Sequence, residues 1–347
     1  MQILPDRSLL GQPAQYETGL VDLGGGLWAW LQPNGGLGES NAGLVVGDGE
    51  SLLIDTLWEL RLTRRMLAAM ADLTASAPIA RVVNTHADGD HCWGNQLLTG
   101  TRIVATATAA EDMLSEDPRG ARLLSRVGSA MTWLDRLKVA RKRGGLGAFI
   151  RMPAAYDFRG ILVTPPTETF AGTLELEVGG RRLELIEAGP AHTPGDLFVH
   201  VPDEGVVFAG DLVFVDVTPI MWVGPVDNWV AGLDRIIAIE PRLVVPGHGP
   251  ITDLGGVKAI RAYWEFAAAG VRERLASGLA PDAAARDLVR SREFRDQPFA
   301  TWHAPERIAI NAAMVARSDA GHRGRVSARE RVRLLARMGE LGAELVR

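Results

Sequence analysis

The segment IARVVN (79–84) is a short apolar run of the type that makes a buried strand, and it leads directly into THADGDH (85–91). Within six positions the second stretch carries His86, Asp88, Asp90 and His91, in a chain that has only seven His among 347 residues. A solvated charged loop would serve equally well with Glu, Lys or Ser, so the choice of residue types needs another reason. Loops at strand ends are where a rigid scaffold aims side chains at one shared point. A strand that delivers so many metal-capable groups at its end therefore restricts the fold to architectures in which other strand ends meet it.

Three later segments repeat the arrangement. AGPAHTPGD sets His192 in a Pro/Gly-rich loop after an expected strand at 183–188. VVFAGDLVF sets Asp211 directly after a strand, behind Gly210, and LVVPGHGP sets His248 in a Gly-flanked loop after another. Imidazole nitrogens and carboxylate oxygens bind zinc-like cations at about 2.0–2.2 Å, and a catalytic site keeps one position for water. Flanking Gly and Pro fix the unusual backbone angles such loops need. Taken singly each signal is weak. A lone His near a strand end is more often a hydrogen-bonding residue, the reading given to His200, His303 and His322. Asp88 and Asp90 alone read as turn residues, and Asp211 as a cap. Jointly, four of the seven His fall into three Gly/Pro-marked loops, and a metal centre explains that better.

The rest of the chain reads as two strand-rich blocks with helices beside them. GLVDLGGGLWAWLQP is a strand pair around Gly24–Gly26, and NAGLVVGDGESLLIDT is a hairpin turning at Gly47-Asp48-Gly49. Residues 57–73 have helical spacing, and TRIVAT (101–106) is a strand. Residues 109–160 form a helical, amphipathic insertion with a Gly-rich joint. Strands are expected at ILVTP, LELEVGG, RRLELIEA, DLFVHVP and GVVFAGD, followed by a helix near 228–240 and the strand RLVVPG. From Val257 the pattern is helical almost to Arg347. The predicted fold is α/β, a four-layer αββα sandwich with its core in 1–257, the insertion at about 109–160, and a C-terminal helical extension at 258–347. Leu334, Met338, Leu341 and Leu345 form a stripe compatible with docking onto the core or with a homodimer through the C-terminal helices.

Composition closes off other classes. A net charge of −5 and a pI near 5.9 give no basic field for a phosphate backbone, so nucleic acid is not an expected partner. The Gly clusters do not form Gly-x-Gly-x-x-Gly between a strand and a helix, which sets aside dinucleotide binding. The single Cys92 allows no intramolecular disulfide. No secretory leader is visible and no stretch is apolar enough for a membrane span, so a cytoplasmic location is the expectation.

THADGDH followed by AHTPGD, AGDLVF and PGHG resembles the metallo-β-lactamase superfamily of hydrolases over about residues 18–256. The resemblance implies His86 and His192 as ligands of a first metal, Asp90, His91 and His248 as ligands of a second, and Asp211 as the bridge. Asp88 departs from the family pattern, HxDxDH in place of HxHxDH. As a direct ligand it would lower the formal charge of a dinuclear, hydroxide-bridged centre from plus one to zero. That would weaken the Lewis acid and make Mn²⁺ or Fe²⁺ acceptable beside two Zn²⁺. Asp88 reaching the metal through water, or serving as a general base, is the alternative. Cys92 is expected to be an ordinary buried thiol.

The function so implied is a metal-dependent hydrolase. A metal-bound hydroxide would attack an ester-type carbonyl, with Asp90 or Asp88 orienting it or accepting a proton. Most of the apolar residues of the insertion, including Met113, Leu123, Leu124, Val127 and Trp133, read as packing it onto the core; as a lid, with Trp93 and Trp222 as substrate-binding residues, they would imply a bulky, partly apolar small molecule. A thioester, ester or lactone fits that description, and the biosynthetic thioesterase-cyclases of the family give one version of it. Two other classes stand against this reading: an iron-dependent oxygenase or redox enzyme on the same fold, and a metal-poor binding protein.

Overall fold

The computed structural model describes residues 16–33, 38–136 and 146–345. Seven strands form the first sheet in chain order: β1 (Gly19–Gly24), β2 (Leu27–Leu31), β3 (Ala42–Val46), β4 (Ser51–Ile54), β5 (Ile79–Val83), β6 (Arg102–Thr106) and β7 (Glu168–Phe170). Strands β1 to β4 pair antiparallel, with tight turns between β1 and β2 and between β3 and β4, and the last three joins are parallel because helices intervene. The second sheet contains β8 (Thr173–Val178), β9 (Arg181–Glu187), β10 (Leu197–Val201), β11 (Val206–Phe214) and β12 (Leu243–His248) in the order β12-β11-β10-β9-β8. Only β11 and β12 pair in parallel, across the helix Val226–Ile239.

The two-residue period of the strands builds the layers. Val45, Leu52, Ile54, Val83 and Val104 of the first sheet meet Leu183, Leu185, Val199 and Phe208 of the second in the inter-sheet core. Their neighbours Leu44, Leu53, Val82 and Ile103 face the other way, onto Leu62 and Met66 of the helix Leu60–Ala69. Behind the second sheet, Phe198 and Val207 pack on Trp229 and Trp264 of the helices Val226–Ile239 and Leu254–Ala276. Each such side chain contributes roughly 1.5–3 kcal/mol when fully removed from water. The four-layer αββα sandwich is thus the observed architecture.

The C-terminal extension shares the core behind the second sheet. Leu334, Met338 and Leu341, on the helix Ala328–Leu345, are buried in that same cluster and Leu345 packs at its margin. The apolar stripe therefore docks within its own chain. No helix among the described residues is long and apolar enough to cross a membrane.

Three local expectations differ from what is observed. ILVTP is an extended loop, not a strand: Gln96 Oε1 accepts from the Leu162 N–H, Asn95 Nδ2 donates to the Thr164 carbonyl, and Pro165 and Pro166 offer no N–H. Side chains thus do the pairing there, and the ladder resumes at β7. Asp211 lies inside β11 and not after it, because the register shift at Gly210 bulges the strand without ending it. His248 is the last residue of β12, ahead of the loop. Within the insertion, the helices Ala107–Met113, Pro118–Arg136 and Leu146–Arg151 are present, while most of the expected Gly-rich joint lies outside the described residues.

Candidate metal centre

His86, Asp88, Asp90, His91, His192, Asp211 and His248 converge. His86 follows β5, and Asp90 and His91 ride the one-turn helix Gly89–Cys92 that comes next. His192 sits between β9 and β10, Asp211 in β11 and His248 at the end of β12. The two sheets are joined at this edge: the Leu197 N–H donates to the Thr85 carbonyl, and Asn41 Nδ2 donates to the carbonyls of Pro246 and Gly249. Gly247 is required, since a Cβ there would lie 1.9 Å from Asp211 Oδ1. Gly210 adopts φ +51°, and a Cβ on it would meet Thr85 at 2.7 Å.

Three overlapping triads each offer ligand atoms within 4.8 Å of one another: His86, Asp88 and His192; His86, His91 and Asp211; Asp90, His91 and His248. Asp211 is central, with its carboxylate 3.2 Å from the Nε2 atoms of His91, His192 and His248 and 3.8 Å from that of His86. Asp90 Oδ2 is 3.6 Å from His248 Nε2 and 3.9 Å from His91 Nε2. Of these nitrogens only His192 Nε2 is aligned as a hydrogen bond to a carboxylate, 3.2 Å from Asp88 Oδ2. His86 Nε2, His91 Nε2 and Asp211 Oδ1 are buried with no hydrogen-bond partner. Polar atoms crowded together yet misaligned with each other are aimed at a common third point.

All four rings are oriented from behind. His91 Nδ1 lies 2.9 Å from Asp55 Oδ2, and His86 Nδ1 lies 3.0 Å from Thr85 Oγ1, which itself donates to Asp55 Oδ2. The Thr85 N–H donates to Asp55 Oδ1. His192 Nδ1 donates to the Ile220 carbonyl and His248 Nδ1 to that of Glu39. A ring whose Nδ1 carries the proton presents a bare Nε2, the state a metal ligand requires. The residues present therefore fit a centre for divalent cations.

Electrostatics set the histidines apart. Burial, with His91 and His192 close by, drives the His86 pKa well down and keeps the ring neutral. Burial also opposes charge on His91 and His192, but Asp211 with Asp55, and Asp211 with Asp88, outweigh it and raise both, His192 to about 9. Burial pushes the Asp90 carboxyl up. Against the same burial, the surrounding histidines pull Asp211 well down.

Asp88 has partners that no histidine would attract. Besides His192 it pairs with Arg325 at 3.5 Å and Arg331 at 3.9 Å, both from the C-terminal extension. Arg325 also bonds Asp112, and Glu116 at 3.0 Å, while Arg331 lies 4.4 Å over the Trp222 ring. Burial would raise Asp88, yet His192 and the two guanidinium groups hold it well below the usual carboxylate range. Cys92 is a buried thiol donating to the Ala87 carbonyl, as expected. His200 pairs with Glu184 away from the centre.

The cluster forms the floor of a cavity of about 860 Å³. Trp58, Trp93, Leu124, Trp222 and Leu335 supply apolar wall, so both sequence-predicted tryptophans line it. Leu123, Val127 and Trp133 of the insertion are exposed, and Met113 is in the core. Sequence reasoning missed Asp55, Thr85, Trp58, Arg307, Arg325 and Arg331. Only Asp55 carried a signal, an acid directly after an apolar strand.

A family model, the metallo-beta-lactamase superfamily, matches residues 35–248. The chain belongs to that superfamily. Among curated superfamily relatives it is similar to the 2,4-dinitroanisole O-demethylase subunit alpha of Nocardioides sp., at 29% identity over 42% of this chain and 46% of that one. The linear primary-alkylsulfatase of Pseudomonas sp. is 24% identical over 67% and 46%. The chain thus spans about half the length of these two. The acyl-coenzyme A thioesterase MBLAC2 of Bos taurus is 27% identical over 60% and 72%. Among solved structures, the sec-alkylsulfatase Pisa1 from Pseudomonas sp. superposes with a TM-score of 0.65 at 18% identity, over 87% of this chain and 50% of that one. A metallo-beta-lactamase from Pontibacter korlensis gives 0.51 at 18%, over 72% and 99%. This likeness establishes the fold. The chain has the metallo-β-lactamase fold.

Proposed function

We propose that the protein hydrolyses an ester-type bond, in a thioester, ester or lactone, of a bulky and partly apolar substrate. The observation that carries this reading is the juxtaposition of seven ligand-type side chains with an apolar chamber of about 860 Å³. A drug-sized molecule fits such a volume, with its reacting bond at the polar floor and its body against Trp58, Trp93 and Trp222. The alkylsulfatase and thioesterase names of two relatives support an ester-type bond attached to an apolar chain.

In this reading His86, Asp88 and His192 would hold one cation and Asp90, His91 and His248 a second, with Asp211 in reach of both sets. Bound divalent cations supply a Lewis acid that acidifies water and polarises the bond under attack. Asp90 lines the chamber and orients the attacking water, accepting its proton. Asp55 and Thr85 keep His91 and His86 in the binding tautomer. Arg325 and Arg331 hold Asp88 ionised and tie the insertion and the C-terminal helix to the motif. Two zinc ions suit the histidine-rich set; Mn²⁺ or Fe²⁺ suits the added carboxylate.

The test is hydrolysis of acyl thioesters, aryl esters and lactones of graded chain length by purified protein, before and after chelation, with elemental analysis of bound metal. Loss on chelation and recovery with Zn²⁺ or Mn²⁺ is expected. Turnover that survives complete metal removal would overturn the mechanism.

A further inference from the structure

Three arginines of the C-terminal extension line the chamber, and their charges are disposed of differently. Arg325 and Arg331 are matched by Asp88, Asp112 and Glu116. Arg307, in the short turn Pro305–Arg307, forms no ion pair among the described residues and is only 7% exposed. Among the described residues its side-chain hydrogen bond runs from a terminal nitrogen to the Thr218 carbonyl at 3.0 Å, and no second one is seen for the fork. The guanidinium carbon is 5.9 Å from the centre of the Phe214 ring, which stacks at 5.1 Å on His248. Arg307 thus shares the chamber floor with Asp211 and His248.

A buried cation with no close ion pair among the described residues is costly to keep. The acids whose charge reaches Arg307 are Glu306, Asp211, Glu39 and Asp90. Asp211 and Asp90 belong to the ligand set, and Glu306 makes no ion pair with its neighbour. A guanidinium presents donors in a planar fork that matches two oxygens of a carboxylate or sulfate. The surrounding wall is apolar, so the rest of such a ligand has somewhere to lie.

We infer that Arg307 is the anchor for an anionic oxygen group of the substrate, a carboxylate or sulfate carried close to the bond that reacts, with the apolar body lying against Trp58, Trp93 and Trp222. This rests on the chamber being the substrate site, as the hydrolase reading requires, and it narrows the substrate to an amphiphilic anion. Arg307 is then a specificity-determining residue supplied by the extension and not by the superfamily core.

The test measures binding, not turnover. Calorimetry on the full-length, metal-loaded protein compares octane-1-sulfonate, a monoanion with no ester bond, with octan-1-ol. The wild type is expected to bind the sulfonate at least tenfold more tightly. R307Q should lose that preference and keep its affinity for the alcohol, whereas R272Q, at a surface ion pair with Asp319 outside the chamber, should keep both. R307K retains charge without the fork and should weaken sulfonate binding several-fold, which gives a second reading if R307Q does not fold. No preference in the wild type, or sulfonate affinity unchanged in R307Q or R307K, overturns the assignment. Neutral esters hydrolysed with no sulfonate preference would defeat this inference alone. Sulfonate binding without turnover of any ester would defeat the hydrolase reading alone.

Discussion

Replacing Asp55 by Asn tests the centre without touching a ligand. Asp55 accepts from the Thr85 N–H and Oγ1, both at 2.7 Å, and faces His91 Nδ1 at 2.9 Å. Asparagine keeps one acceptor oxygen but sets an NH₂ where the second accepted. On the Oδ1 side that amide would meet the Thr85 backbone N–H, donor against donor, and a backbone N–H cannot change role. It therefore settles on the Oδ2 side, where it faces His91 Nδ1 and Thr85 Oγ1 together. His91 must then take its proton on Nε2, the atom that has to be bare for a cation, and the hydroxyl that orients His86 is turned. Loss of such an outer partner lowers metal affinity by about 10–100-fold, or roughly 1.4–2.7 kcal/mol. Removing a buried, charge-assisted bond lowers metal-free stability by about 1.5–3 kcal/mol. Competitive titration of Zn²⁺ against a chromophoric chelator reads the first quantity, and urea unfolding of the metal-free protein reads the second. A folded D55N that binds Zn²⁺ with wild-type affinity would refute the tautomer argument.

D88N should lower the bound metal towards one equivalent and loosen the C-terminal helix, seen as faster amide exchange over 325–335; unchanged stoichiometry and exchange would contradict both roles of Asp88. Zinc binding should release protons, because the acids around His192 hold its proton up to about 9 and a bound cation must displace it. The apparent affinity should therefore rise with pH below 9, and calorimetric heats that do not vary with buffer ionisation enthalpy would argue otherwise. L124D, which places a charge in the chamber wall, should raise KM for long-chain more than for short-chain esters; equal effects would remove Leu124 from the substrate path. M338A should cost about 2–5 kcal/mol, since Met338 is 2% exposed in the core behind the second sheet, and a loss below 1 kcal/mol on chemical denaturation would contradict that packing.

The ligands were legible in sequence because both halves of their signal are local: a His or Asp, and the Gly or Pro that shapes its loop. What holds them was not. Asp55 is 30 residues from Thr85 and 36 from His91, and the carbonyl that orients His248 is 209 residues away. Those contacts exist only once the sheets have paired. Arg325 meets Asp88 across 237 positions, and nothing in the sequence around Arg325 sets it apart from the other arginines of the extension. Gly210 read as a strand end because glycine usually marks one, whereas here it makes a bulge that keeps Asp211 in β11. Helical spacing gave the stripe Leu334, Met338, Leu341 and Leu345 but not the surface it covers.

The placement of Arg307, Arg325, Arg331 and Leu335 on the chamber wall has a consequence for how this protein can diverge. The seven ligand-type groups are complete by residue 248, while Arg307, Arg325, Arg331 and Leu335 join the chamber wall only in the last quarter of the chain. Exchanging that tail would alter the chamber wall and also remove the guanidinium groups that hold Asp88 ionised, so the shape of the chamber and the charge of its floor are inherited together.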